Sequence, residues 1–464
     1  MKLLTQFRIR IVVICIIFIA LIPLSLYLSS QEKQKVYDKY LVQANEYYQE
    51  KYYNNALISY QKAIVTDSKK SDSYLKLAEI YILKNNLQNA ELILKEGAKN
   101  VKDDDSIYLA LGDLLSKQTR YDETLNAYLQ IKNKEASTKI AITYYQLNQA
   151  NQALTTLNEL TENNYSEEYY YLKSLYFIFS DPQEALKILE TGNFTNELSI
   201  KTSTLKTLLK NENSEYNKLL LSREIISQGF PSLATNTLQQ ITADNPQYRD
   251  AYLILGKAYF EVNSLNEAEI AWQKAIEIDP TSGETHFLLS QLYYAQNNFQ
   301  NARIEAEKAF NLEPINYRFS SFLAKIYDKE QNCDLKIQTQ EKTVNDLASW
   351  QDPQTLQENQ IILINYYLNC NEITEAFSLA EKLNNSQNSL EKEKIIKDLY
   401  LWIKWLKEKD ETLISLYQNY LQKFPNSASG HYHYGKILEE FGNLTESKKE
   451  IERAFELEEL NNPI

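Results

Sequence analysis

Apolar and small residues recur along this chain at helical spacing, in pairs of segments separated by short polar breaks. Between Arg249 and Ser282, the residues Tyr252, Leu255, Gly256 and Tyr259 share one face of a predicted helix. Ala268, Trp272 and Ala275 then share one face of a second helix. Gly256 and Ala268 are small where the paired helices must approach closely, and Pro280 stops the second helix before the pattern restarts. An interval of 34 residues links Pro246 to Pro280 and Pro314, Tyr259 to Tyr293 and Tyr327, and Ala268 to Ala302. A fixed period of this length predicts helix pairs stacked into a solenoid, each burying its apolar face against its neighbours.

The unit Arg249–Ser282 closely resembles the tetratricopeptide repeat (TPR) family. Gly283–Asn316 repeats the scheme with His286, Leu289, Tyr293, Ala302, Ala306, Ala309 and Pro314, and Glu215–Tyr248 with Leu221, Ser222, Ala234 and Pro246. Nearer the N-terminus, Tyr37–Lys70 carries Tyr40, Ala44, Tyr47, Ala56, Tyr60 and Ala63, and Ser71–Asp104 carries Tyr74, Leu77, Ala78, Tyr81 and Ala90. A shortened unit starts at Asp105 with Tyr108, Leu111, Gly112 and Tyr128. Weaker units are marked by Ala141, Tyr144 and Ala153, and by Tyr169, Leu172, Tyr176 and Ala185. Past the centre, Tyr317–Thr343 keeps Leu323, Ala324 and Tyr327. Further units show at Tyr367, Ala376 and Ala380, at Trp402, Tyr417 and Pro425, and at His431, Gly435, Ser447 and Ala454.

The expected fold is therefore all-α: a TPR-type helix-turn-helix solenoid of about eleven to twelve repeats behind one N-terminal transmembrane helix. It divides into a tail at 1–10, the membrane segment at 11–28, repeats at 37–199, an irregular connection at 200–214, a central repeat segment at 215–343 and degenerate repeats at 344–464. Composition agrees. Of nine glycines, Gly112, Gly256 and Gly435 hold the same close-packing place, and the 35 tyrosines largely recur at core places, where packing accounts for them better than base stacking.

Ile11–Leu28 is an apolar run broken only by Pro23 and Ser25, preceded by Lys2, Arg8 and Arg10. At 1.5 Å per residue it reaches roughly 27 Å, enough for one membrane-spanning helix. No small-x-small cleavage site follows it, and Cys15 lies inside it after bulky Val13 and Ile14, unlike a lipoprotein cysteine. An uncleaved signal anchor is expected, with the short tail cytoplasmic and the solenoid periplasmic or extracytoplasmic. The alternative places the solenoid on the cytoplasmic side as an adaptor for a membrane complex. Cys333 and Cys370 fall near turns of successive repeats; in an oxidising compartment they could pair, but pairing needs Cα atoms within about 7 Å, which the repeat pattern does not guarantee, so free, partly buried thiols are the first expectation.

No catalytic constellation stands out: there is no phosphate-binding glycine loop, Gly-x-Ser-x-Gly elbow or CxxC pair. His286 and His431 occupy aromatic packing places, and His431 and His433 point to different helix faces, so no metal or cofactor is expected. An enzyme is the third reading. With 62 acidic against 49 basic residues and a net charge of −13, the chain lacks the basic surplus that nucleic acid would require.

The resemblance implies a groove lined by the first helices that holds peptide or protein segments. Its ninth place in each unit reads Asn45, Glu79 and Asp113 early, then Arg223, Lys257, Gln291 and Lys325. Nearby places add Asp38, Asp72, Glu135 and Glu167 early, and Tyr216, Phe260, Phe287, Tyr294 and Arg318 later. A partner-binding strip for an acidic segment is thus expected over Arg223, Lys257, Phe260, Phe287, Gln291, Tyr294, Arg318 and Lys325. The alternative is that these charges only solubilise exposed helices. Glu261 and Asp328 lie near the strip and oppose it, and the lysine–asparagine clamp of chaperone-binding relatives is not found on one first helix.

Overall fold

The computed structural model describes residues 31–102, 104–133, 136–160, 166–211, 214–349, 352–386 and 390–461. Among these residues the regular structure is helical and contains no strand. The first helices are α1 (31–49), α2 (Tyr53–Thr66), α3 (Ser71–Leu83), α4 (Leu87–Asn100), α5 (Ser106–Lys117) and α6 (Tyr121–Tyr128). Then come α7 (Ser137–Gln146), α8 (Ala150–Asn158), α9 (Glu167–Phe177), α10 (Pro182–Thr191), α11 (Asn196–Leu209), α12 (Glu215–Ser227) and α13 (Pro231–Asp244). Next are α14 (Arg249–Glu261), α15 (Leu265–Ile278), α16 (Gly283–Ala295), α17 (Phe299–Leu312), α18 (Tyr317–Lys329) and α19 (Cys333–Ala348). The series ends with α20 (Pro353–Asn369), α21 (Ile373–Asn384), α22 (Leu390–Glu408), α23 (Leu413–Lys423), α24 (Ala428–Glu440) and α25 (Leu444–Asn461).

These helices form antiparallel-type pairs, α1 with α2 through α9 with α10 and α12 with α13 through α24 with α25, leaving α11 without a partner of its own. The stretch expected as an irregular connection, 200–214, is thus helical as far as Leu209. The repeat pattern fades there because α11 packs singly against the flanking helices, so no second helix imposes the small residues of a pair.

The pair α14–α15 shows how sequence makes the unit. α14 buries Ala251, Ile254, Leu255, Gly256 and Ala258, and α15 buries Ala268, Ala271, Trp272 and Ala275. A methyl group on Gly256 would collide with the Trp272 indole, whose N–H donates to the Leu253 carbonyl at 3.0 Å. Gly112 faces Tyr128, and Gly435 faces Ile451, in the same manner. The turn after α14 is closed by Ser264 N–H to Tyr259 O at 2.9 Å and Asn263 N–H to Phe260 O at 3.0 Å, with Asn263 left-handed at φ 60°. This pair of hydrogen bonds satisfies two of the last carbonyls of the helix, and asparagine tolerates the left-handed backbone better than most residues. Asn85, Asn148, Asn297 and Asn371 take the same conformation at equivalent turns.

Two compact units result. One comprises the described residues within Met1–Asn133, Asn426–Gly435 and Leu444–Ile464; the other those within Lys134–Pro425 and Lys436–Asn443. The first unit is built on Ala44, Ala56, Tyr60, Tyr74, Leu77 and Leu94 with their neighbours. In the second, successive clusters run along the helix pairs, and the α12–α13 turn packs back on α7 and α9. Phe230 lies 6.0 Å from the Tyr145 ring and 6.2 Å from that of Tyr171, while Gln146 Nε2 donates to the Gly229 carbonyl at 2.6 Å.

Two expectations are revised. Cys333 and Cys370 are not free thiols: they form a disulfide across a Cα separation of 5.8 Å, joining the first residue of α19 to the residue that caps the end of α20. The turns of successive repeats stack closely enough to meet the geometric requirement that sequence spacing could not settle. Single-pass membrane localisation is also corrected. Among the described residues no helix is long and apolar enough to cross a membrane. α22, 19 residues long, is interrupted by Lys392, Lys394 and Lys404, which lie on its partly solvated face, and by the buried Asp398. The segment 11–28 lies outside the described residues.

Candidate partner-binding strip

In the first unit the ninth places are already engaged. Tyr60 donates to Asn45 at 2.6 Å, Tyr128 donates to Asp113, and Glu79 accepts from Tyr48 at 2.6 Å and from Lys76 at 2.7 Å. The Tyr60–Asn45 and Tyr128–Asp113 pairs share one register, fifteen residues apart, so the second helix of each pair reaches back to the ninth place of the first. Burial, with Asp113 adding to it, pushes the Tyr128 hydroxyl well up, so it stays a donor. Asp38 accepts from Gln34 at 2.7 Å and Glu167, in the second unit, from the Thr195 backbone at 2.7 Å. Glu135 lies outside the described residues.

The corresponding places of the second unit differ. Position twenty-four there is Leu238, Trp272 or Gln340, none of which binds the ninth-place cation. Arg223, Lys257 and Lys325 are exposed and make no ion pair among the described residues. Gln291 is half-buried on α16, and Tyr216 is exposed on α12.

Four of the expected residues are brought together on α16 and α18. The Phe287 ring lies 5.5 Å from that of Phe322, which lies 5.4 Å from Tyr294. The Arg318 guanidinium stands 5.0 Å over Phe287, and the Lys325 ammonium 5.0 Å over Tyr294, both within cation–π range. Arg318 also bridges to Glu284, one repeat back, at 3.2 Å; both side chains are largely exposed, so the pair adds little to stability. Phe260 is half-buried and packs at 5.7 Å on Trp272, whereas Phe287, 4% exposed, belongs to the core of its own repeat.

The strip continues through residues that the sequence pattern did not single out. Lys336, near the start of α19, is only 4% exposed; its ammonium is held by Asp328 at 2.8 Å and lies 5.3 Å over the Tyr366 ring of α20. Asp328, which seemed to oppose the basic strip, is therefore the counter-ion that allows a lysine to be buried there. Burial, then the charge of Asp328 and the nearby Tyr294, pushes the Tyr366 hydroxyl up to about 12. The disulfide stands one helical turn from both ends of this contact, Cys333 before Lys336 and Cys370 after Tyr366. Lys336 sits on a second helix, outside the ninth-place pattern that first helices repeat in sequence.

Elsewhere, His286 is a buried core residue as expected, bonded through Nδ1 to Glu305 at 2.6 Å. His431 repeats this arrangement with Glu450. Among the described residues no group of three or more His, Cys, Asp or Glu could hold a metal ion.

Helix pairs stacked in register, with exposed side chains ranged along their first helices, define a repeat protein of the α-solenoid class. Family models described as tetratricopeptide repeat match residues 219–283, 283–316, 428–459 and 135–165, so these segments carry the tetratricopeptide repeat pattern. No curated protein matches it in sequence. Similar solved structures include the Cut9–Hcn1 hetero-tetramer of APC/C, 15% identical over 91% of this chain and 93% of that one, with a TM-score of 0.32. Yeast Tom70 is 13% identical over 92% and 96%, with a TM-score of 0.34. Pseudomonas aeruginosa pilF is 15% identical over 49% and 97%, with a TM-score of 0.37. Likenesses of this order carry no inference about partners.

Proposed function

We propose that this protein is a non-catalytic interaction scaffold whose second unit binds a protein segment presenting carboxylates beside apolar or aromatic side chains. One observation carries the reading: among the described residues Arg223, Lys257 and Lys325 are exposed without a carboxylate partner at matching places of their repeats, whereas Asn45, Glu79 and Asp113 at the matching places of the first unit are bonded internally. Cations left unpaired in a chain of net charge −13, which has carboxylates to spare, favour an acidic ligand over a merely solubilising role. Tyr294 and Phe322, half-buried with rings 5.4 Å apart, supply large rigid surfaces with few rotors, which lose little entropy when covered.

A peptide panel differing only in Asp/Glu versus Lys content, and in one aromatic residue, tests the reading by fluorescence anisotropy. Acidic aromatic members are expected to bind the intact chain, with affinity falling as salt rises. Joint Arg223→Glu, Lys257→Glu and Lys325→Glu replacement should weaken them about tenfold or more, mainly through slower association and lost pairing. Equal binding of acidic and basic members, or indifference to the triple replacement, would sink it.

A further inference from the structure

Within the first unit, one contact joins residues 402 positions apart. The Arg453 guanidinium on α25 lies 4.7 Å over the Tyr52 ring, at the turn between α1 and α2, and its Nη1 reaches the Lys51 carbonyl at 3.4 Å. α25 also packs against α3. Lys51 holds the left-handed turn place at φ 62°, where Asn85, Asn148, Asn263, Asn297 and Asn371 stand in other repeats, and Tyr52 remains 39% exposed beneath the cation. The pair α24–α25 matches the tetratricopeptide repeat pattern over 428–459 by itself, so nothing in the repeat requires this additional contact.

Two further observations locate it. Glu79 of α3 holds the ninth, groove-lining place of its repeat, and it lies near enough to Tyr53 for both Glu79 and Arg453 to act on that hydroxyl, in opposite directions. Glu79 is itself bonded to Tyr48, whose ring meets Tyr53 edge-on at 5.4 Å. Arg453 therefore enters beside an aromatic and acidic neighbourhood, the charge reverse of the strip over Arg223–Lys325. A planar guanidinium over a tyrosine face suits such a place better than an ammonium would.

We propose that α25 is a ligand built into the chain: Arg453 latches the last repeat onto Tyr52, occupying the edge of the first repeats where a segment bearing arginine would otherwise dock. The first unit is then a self-filled site, closed while the latch holds. The proposal does not depend on the acidic-ligand reading of the second unit.

The test uses the full chain. Amide hydrogen exchange over residues 52–56 and 71–83 is compared among the wild type, Arg453→Lys and Arg453→Glu. Exchange should be about fivefold faster in the Glu variant and intermediate in the Lys variant, with 249–278 unchanged as a control of folding. A synthetic peptide of residues 444–461, added to the Arg453→Glu chain, should bind about tenfold more tightly than the same peptide carrying Arg453→Glu, and should restore slow exchange. Unchanged exchange in the Glu variant, or equal binding of the two peptides, overturns the proposal. So does protection in the wild type that falls on dilution, since the contact would then join two copies.

Discussion

Glu305 is a carboxylate whose ionisation is set by two neighbours. Burial by itself pushes it up, but hydrogen bonds from His286 and Lys308, with their charges, outweigh burial and leave it below its ordinary value of 4.5. A carboxylate depressed by folding contributes stability that is fully present above the ordinary value and disappears as pH falls through the depressed one. Glu305→Gln should therefore lower stability at neutral pH and flatten the loss of stability on acidification below about pH 4.5, as read by denaturant unfolding at a series of pH values. A variant as acid-sensitive as the wild type would remove Glu305 from the explanation. The residue scale also shows what sequence reading cannot reach. Phe287, Tyr294, Arg318 and Lys325 were legible because they repeat on first helices; Lys336 and Tyr366 were not, since a buried ion pair depends on where Asp328 stands in space.

At the level of elements, the helix pair was legible because close packing leaves a mark in composition. Gly256 exists for Trp272, and the replacement Gly256→Ala pits two effects against each other. Alanine favours a helix over glycine by about 1 kcal/mol. Overpacking a buried, hydrogen-bonded indole costs about 1–3 kcal/mol, and Trp272, 1% exposed with its N–H fixed to Leu253 O, has nowhere to move. Net destabilisation is expected, measurable as a lower denaturant midpoint with an unchanged slope. An equal or higher midpoint would show that the ring can shift. The unpaired helix α11 was illegible for the complementary reason: with no partner it carries no small-residue signature, and so 200–214 read as irregular.

Over the whole molecule, a period along the sequence specifies neighbours and nothing further. It foretold that each pair would rest on the next, but it is silent on contacts that skip repeats, such as Phe230 against Tyr145 or Arg453 against Tyr52. Arg453 and Tyr52 lie within one compact unit, Phe230 and Tyr145 within the other. Stacked repeats couple mainly to their neighbours, so unfolding can start at one place and spread. The bridge between Cys333 and Cys370 changes how this chain would answer to force. A chain pulled from its ends lengthens by about 3.4 Å for every residue released, yet a loop of 37 residues closed by a covalent bond cannot enter the extended path. Optical-tweezer traces of the oxidised protein should therefore fall short of the fully released contour by roughly 125 Å, and adding a thiol reductant should return that length. Full extension without reductant would mean that tension never reaches a closed bridge. The staple that sits beside Lys336 and Tyr366 would then be seen as a limit on how far these repeats can be drawn out, set by chemistry and not by packing.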